Sequence, residues 1–83
     1  MKLTKTEAIL IERAKLNGGR TAAESCSGRG PEGGRVSHGR RETGAIRSLI
    51  EKGIMTQVSY TRTALPDGGY TIWVNTIVAR LAA

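Results

Sequence analysis

Apolar residues recur at helical spacing over residues 4–17 and again over 39–52, and beyond residue 55 the pattern turns to runs of strand formers. The first helix has a marked start. Thr4 and Glu7 hold the S/T-x-x-E spacing of a capping box, in which each side chain satisfies a backbone donor of the opening turn. Leu10, Ile11 and Ala14 then share one face, while Glu12, Arg13 and Lys15 fall elsewhere. Asn17-Gly18-Gly19 ends the helix, because both residue types tolerate the left-handed conformation of a C-terminal cap. Residues 20–25 predict a short strand, although its alanines have little β preference.

The stretch Ser27-Gly-Arg-Gly-Pro-Glu-Gly-Gly-Arg35 carries four glycines and a proline, a composition that predicts a loop and no regular element. The second helix is expected over 39–52, with Ser37 as its candidate N-cap. Ala45, Ile46, Leu49 and Ile50 form its apolar stripe. Gly53 reads as the residue after the C-cap, with Ile54 folding back on Leu49 in a Schellman stop. Residues 56–63 and 70–79 predict the two strands of an antiparallel hairpin, joined by a turn at Leu65-Pro-Asp-Gly-Gly69. Within 70–79, Ile72 and Val74 take one face and Trp73 and Asn75 the other. Trp73 is expected as core or semi-buried packing, with an exposed stacking platform on the hairpin as the alternative. No internal repeat or linker divides residues 1–83, so the expectation is one small α+β domain: two main helices, a C-terminal hairpin and a short first strand.

Composition limits what such a domain can do. The chain has 83 residues with seven Ile, six Leu and four Val but no Phe, so its core is modest and offers little room for a deep substrate cavity. Function is therefore expected on an outer face. Nine Arg and four Lys oppose seven acidic residues, giving a net charge of +6, a field that attracts polyanions. Arginine is the better match to phosphate, because its planar fork donates two hydrogen bonds at once. Cys26 is the only cysteine, which rules out an intramolecular disulfide and fits a reducing compartment. The N-terminus is polar, and no apolar run approaches the ~20 residues needed to span a bilayer. These features predict a soluble cytoplasmic protein with no membrane partner.

The charge is concentrated. Five arginines lie between residues 29 and 47, against Glu32 and Glu42. On helix 39–52, Arg40, Thr43, Gly44 and Arg47 fall opposite the apolar stripe, with Arg41 and Ser48 beside them. Small residues at 43, 44 and 48 let the helix approach a groove, while the arginines reach phosphates or guanine edges. Arginines early in a helix oppose its dipole, a cost that a bound polyanion would offset. Glu51 interrupts this face at its C-terminal end. Other chemistries find no support. The glycine stretch lacks the G-x-x-x-x-G-K-[ST] phosphate cradle. One Cys and one His are too few for a structural zinc site, and Cys26 reads as an inert thiol. The carboxylates show no pairing suited to acid–base work. No catalysis, metal or cofactor is expected.

The order helix, short strand, helix ending in Ile46-Arg-Ser-Leu-Ile-Glu-Lys-Gly-Ile54, then a hairpin with Pro66-Asp-Gly-Gly69 at its tip, resembles a winged helix-turn-helix DNA-binding domain. In such domains a recognition helix often ends in a Leu-x-x-x-Gly-Ile/Leu phrase and runs straight into the wing. The resemblance implies that Arg40, Arg41, Thr43, Gly44 and Arg47 face the major groove of double-stranded DNA, with Arg62 on an adjacent phosphate. It departs from the family where the glycine stretch replaces a helix, and it is closest to small phage- or prophage-type regulators. Arg29, Arg35 and His38 complete the expected nucleic-acid contacts, and the function implied is transcriptional regulation. Two rivals stand beside it. One is a phage-encoded module that binds a protein complex, such as an anti-CRISPR inhibitor of a host defence complex. The other is an RNA-binding accessory protein working through the glycine–arginine loop.

Overall fold

The computed structural model describes residues 2–29, 35–67 and 70–82, with the side chains of 35, 36, 66, 67 and 70 outside that description. The chain runs α1 (Lys5–Leu16), β1 (Arg20–Arg29), β2 (Arg35–His38), α2 (Arg40–Glu51), β3 (Met55–Asp67) and β4 (Tyr70–Leu81). The strands form one antiparallel sheet in the order β2-β1-β4-β3. This is a small α+β domain. Among the described residues, no helix is long and apolar enough to cross a membrane.

Both helices pack on one face of the sheet, and alternation decides which strand residues meet them. In β1, Thr21, Ala23 and Ser25 are buried while Ala22 and Glu24 are exposed. Ala23 stands opposite Ile77 and Thr21 opposite Ala79, so the odd-numbered residues of β4 share that inner face. The core joins Leu10 and Ala14 of α1 to Ala45, Ile46 and Leu49 of α2, over Ala23, Met55, Ile77 and Ala79 of the sheet.

The helix ends follow the expected local chemistry. Thr4 Oγ1 accepts from the Glu7 amide at 3.1 Å, and Glu7 Oε1 accepts from the Thr4 amide at 2.9 Å. At the end of α2 the Ile54 amide donates to the Leu49 carbonyl and the Gly53 amide to the Ile50 carbonyl, each at 3.0 Å, which is the Schellman pattern.

Three expectations need correction. The strand expected over 20–25 extends to Arg29, and Arg35–His38 forms a second strand paired with it, so the ends of the expected loop are β structure. Residues 30–34 lie outside the described residues. Pairing with β4 along Arg20–Gly28 outweighs the poor β propensity of these residues. At Gly28 a glycine is also required sterically, because a Cβ would press on the Thr71 carbonyl oxygen. Second, Ser37 does not cap α2. It lies in β2 opposite Ser27, and α2 begins after Gly39 without a side-chain cap. Third, β3 continues through Leu65 and Pro66, paired with Ile72 and Thr71, where a turn was expected. Since β3 is an edge strand, it tolerates a residue with no N–H. Residues 68 and 69 of the expected turn lie outside the described residues.

An ion pair on a buried carboxylate links the helices. Lys52 Nζ donates to both carboxylate oxygens of buried Glu7, at 2.9 and 2.7 Å, tying the start of α1 to the end of α2. Lys52, with the Thr4 amide, holds the Glu7 carboxyl at about 2, below its ordinary 4.5, and outweighs the opposing effect of burial. A lowered folded-state value means that the stabilisation is complete above pH 4.5 and lost as pH falls through about 2. Urea unfolding followed by circular dichroism should therefore show stability falling over that window. Glu7→Gln should flatten that fall while lowering stability at neutral pH. An unchanged acid limb in the variant would contradict the assignment.

Candidate nucleic-acid interface

Beyond the end of the core, the inner face of the sheet is not covered by helix. Together with the polar side of α2 it forms a trough of about 900 Å³. Arg40, Thr43, Gly44 and Arg47 make the helical wall, Ser25, Ser27 and Asn75 lie on the sheet, and Arg29 stands at the end of β1. Tyr60 and Trp73 form the remaining side. The helix face thus looks across a concavity towards the sheet, not outward as an isolated ridge.

Two backbone devices set this geometry. Gly39 has φ 76°, and a Cβ there would run into the Glu24 carbonyl oxygen. The residue that turns β2 into α2 must therefore be glycine, and it puts Arg40 at the mouth of the trough. The second device is a β-bulge in β3. Gln57 pairs with Ala79 and Ser59 with Val78, leaving Val58 as an extra residue. That insertion reverses the alternation, so Tyr60, Arg62 and Ala64 share the inner face with Ile77, Asn75 and Trp73.

The electrostatics are one-sided. Among the described residues no carboxylate lines the trough, and none of Arg29, Arg40, Arg47 or Arg62 makes a salt bridge. Two of these cations rest on aromatic rings instead. The Arg62 guanidinium lies 4.2 Å from the Trp73 ring centroid and that of Arg47 lies 5.5 Å from Tyr60. Tyr60 Oη donates to Asn75 Oδ1 at 3.0 Å, fixing the phenol on the sheet. The Thr43 hydroxyl is turned back on its own helix, towards the carbonyls of Gly39 and Arg40 at 3.3 and 3.2 Å.

The structure therefore gathers Arg29, Arg40, Thr43, Gly44 and Arg47, with Arg62 stacked on the wall beside them. Others are not gathered. Arg41 is exposed and does not line the trough. His38 is exposed and does not line the trough. The backbone of Arg35 pairs with Arg29, while its side chain lies outside the described residues. Tyr60 and Asn75 were not foreseen as site residues. Trp73, expected as core or semi-buried packing with an exposed stacking platform as the alternative, stands outside the buried core and retains 36% exposure at the trough. The shared face of Trp73 and Asn75 was the available signal. Among the described residues, no group of three or more His, Cys, Asp and Glu is placed to hold a metal ion.

No family model matches the chain, and no curated protein or solved structure is significantly similar to it.

Because Gly39 combines a positive φ with a closed space for Cβ, Gly39→Ala should cost on the order of 1–3 kcal/mol in a urea-unfolding comparison. Gly44, where a Cβ meets nothing within 4 Å, provides the control. Gly44→Ala in mid-helix should be neutral or mildly stabilising. Equal effects at both positions would contradict this account of the α2 joint.

Proposed function

We propose that the protein binds nucleic acid and holds a sugar–phosphate backbone in the trough. The observation that carries this reading is the convergence of Arg29, Arg40 and Arg47 on one concavity, with Arg62 stacked on the Trp73 ring beside it and no carboxylate lining it among the described residues. Guanidinium groups already gathered and free of acidic partners are matched to phosphate, whose oxygens accept both arms of the fork. The +6 net charge adds long-range attraction of the same sign.

A second, regulatory reading would instead place the N-terminal half of α2 in the major groove of double-stranded DNA, with β3–β4 as a wing on the flanking phosphates. The direct passage of α2 through Gly53 into β3 supports this winged-helix arrangement. A departure remains, since β2 occupies the chain position where that family carries a helix.

Fluorescence anisotropy with labelled duplex DNA, duplex RNA and single strands, across a salt series, tests the reading. Four arginines each neutralising one phosphate give a slope of log K against log salt of about −3 to −4. Arg40→Ala and Arg47→Ala should each weaken binding and reduce that slope by about 1. Absence of salt-sensitive binding to any of these polymers, combined with tight capture of a protein complex, would replace the reading with a protein-interaction module.

A further inference from the structure

We infer that the strand held in the trough is unpaired, and that its bases stack on Trp73 and Tyr60. This rests on the nucleic-acid reading above and names the form of nucleic acid the site takes.

Size is the first argument. A concavity of about 900 Å³ is in the range that encloses a drug-sized molecule, which suits a few nucleotides and not a double helix. The described residues span only 22 × 21 Å across their two shorter axes. A helix that reads a major groove about 12 Å wide must stand clear of its surroundings. Here Arg40, Thr43, Gly44 and Arg47 instead share a trough with Tyr60, Trp73 and the sheet.

The second argument is where the aromatic residues sit. The chain has one Trp, two Tyr and no Phe. The buried core cluster contains only Leu, Ile, Met and Ala, while Trp73 and Tyr60 keep 36% and 41% exposure at the trough. The two rings therefore stand outside the core, each with part of its surface open to solvent. A partner that covers their faces accounts for the position. Every base has such a face, which makes stacking tolerant of sequence.

The third argument is their pairing with cations. Arg62 over Trp73 and Arg47 near Tyr60 place a guanidinium against each ring. That combination serves both halves of a nucleotide, with the ring or guanidinium plane taking the base and the cation reaching its phosphate. Ser27 and Asn75 on the sheet supply neutral hydrogen-bonding groups for base edges, and Arg29 and Arg40 reach the continuing backbone.

Trp73 is the only tryptophan, so its emission reports on the trough directly. The intact protein is titrated at one salt concentration with a short oligothymidylate, an oligouridylate, an abasic sugar–phosphate oligomer of equal length and a duplex. The inference predicts that the base-bearing single strands perturb Trp73 emission and bind more tightly than the abasic oligomer. The two sugars report whether DNA or RNA is preferred, and binding of either with Trp73 perturbed supports stacking. Loss of one stacked base corresponds to roughly 5- to 150-fold, so Trp73→Ala, followed by the anisotropy of a labelled strand, should weaken single-strand binding by that factor and leave abasic binding unchanged. Trp73→Phe keeps a stacking face and should retain most of the affinity, which separates stacking from loss of fold. Equal affinity for abasic and base-bearing strands, or preference for the duplex with Trp73 emission unchanged, would overturn the inference and leave nucleic-acid binding intact. No binding to any of the four would overturn both.

Discussion

A twelve-residue α-helix is about 18 Å long, whereas a strand of the same length spans about 40 Å. Helices α1 and α2 each have 12 residues, and strands β3 and β4 have 13 and 12. Two such helices lying on one face of the sheet cannot cover it from end to end. The long axis of the molecule, 44 Å, is set by the strands. What the helices cover becomes the core, around Leu10, Ile46, Leu49 and Ile77. What they leave uncovered continues on the same strands as Ser27, Asn75 and Trp73. The apolar and cationic regions are therefore consecutive stretches of one surface.

Holding that arrangement requires α2 to be fixed at both ends. At its start, Gly39 fits against the backbone of β1 where no side chain could. At its end, the Schellman stop turns the chain directly into β3, and Lys52 binds Glu7 of the neighbouring helix. The bulge at Val58 then brings Tyr60 and Arg62 to the inner face. The sequence of small devices has one consequence for charge. Arg29, Arg40 and Arg47, distant along the chain, line a single concavity, and Arg62 stacks on the Trp73 ring at its side. Two of these guanidinium groups, those of Arg47 and Arg62, already rest on aromatic rings, which lowers the cost of ordering them against an anion.

Features decided by neighbouring residues were legible in the sequence. The Thr4–Glu7 box and the Gly53–Ile54 stop both appear as written, because a few adjacent residues contain the whole interaction. The stripe Ala45, Ile46, Leu49 is buried, and alternation correctly separated Ile72 and Val74 from Trp73 and Asn75. Features decided by distant partners were not legible. Strand β2 exists through pairing with β1, and the ends of a glycine-rich stretch give no local sign of it. The Val58 bulge depends on how β3 registers against β4, and nothing in residues 56–63 marks the insertion. The arginine face of α2 was visible from helical spacing, but its apposition to Tyr60 and Trp73 follows from the unequal lengths of helix and strand. The pairing of Glu7 with Lys52 is equally non-local, spanning 45 positions.

The most direct test of the central claim is a map of which residues respond when an oligonucleotide binds. In a nuclear magnetic resonance titration, the side-chain N–H signals of Arg29, Arg40, Arg47, Arg62 and Trp73 should shift together and saturate at one ligand concentration. Signals from Val74 and Val78 on the opposite sheet face, and from Ile9 and Leu16 on the outer side of α1, should stay in place. Shifts centred on those outer residues, with the trough guanidinium signals unmoved, would contradict the account.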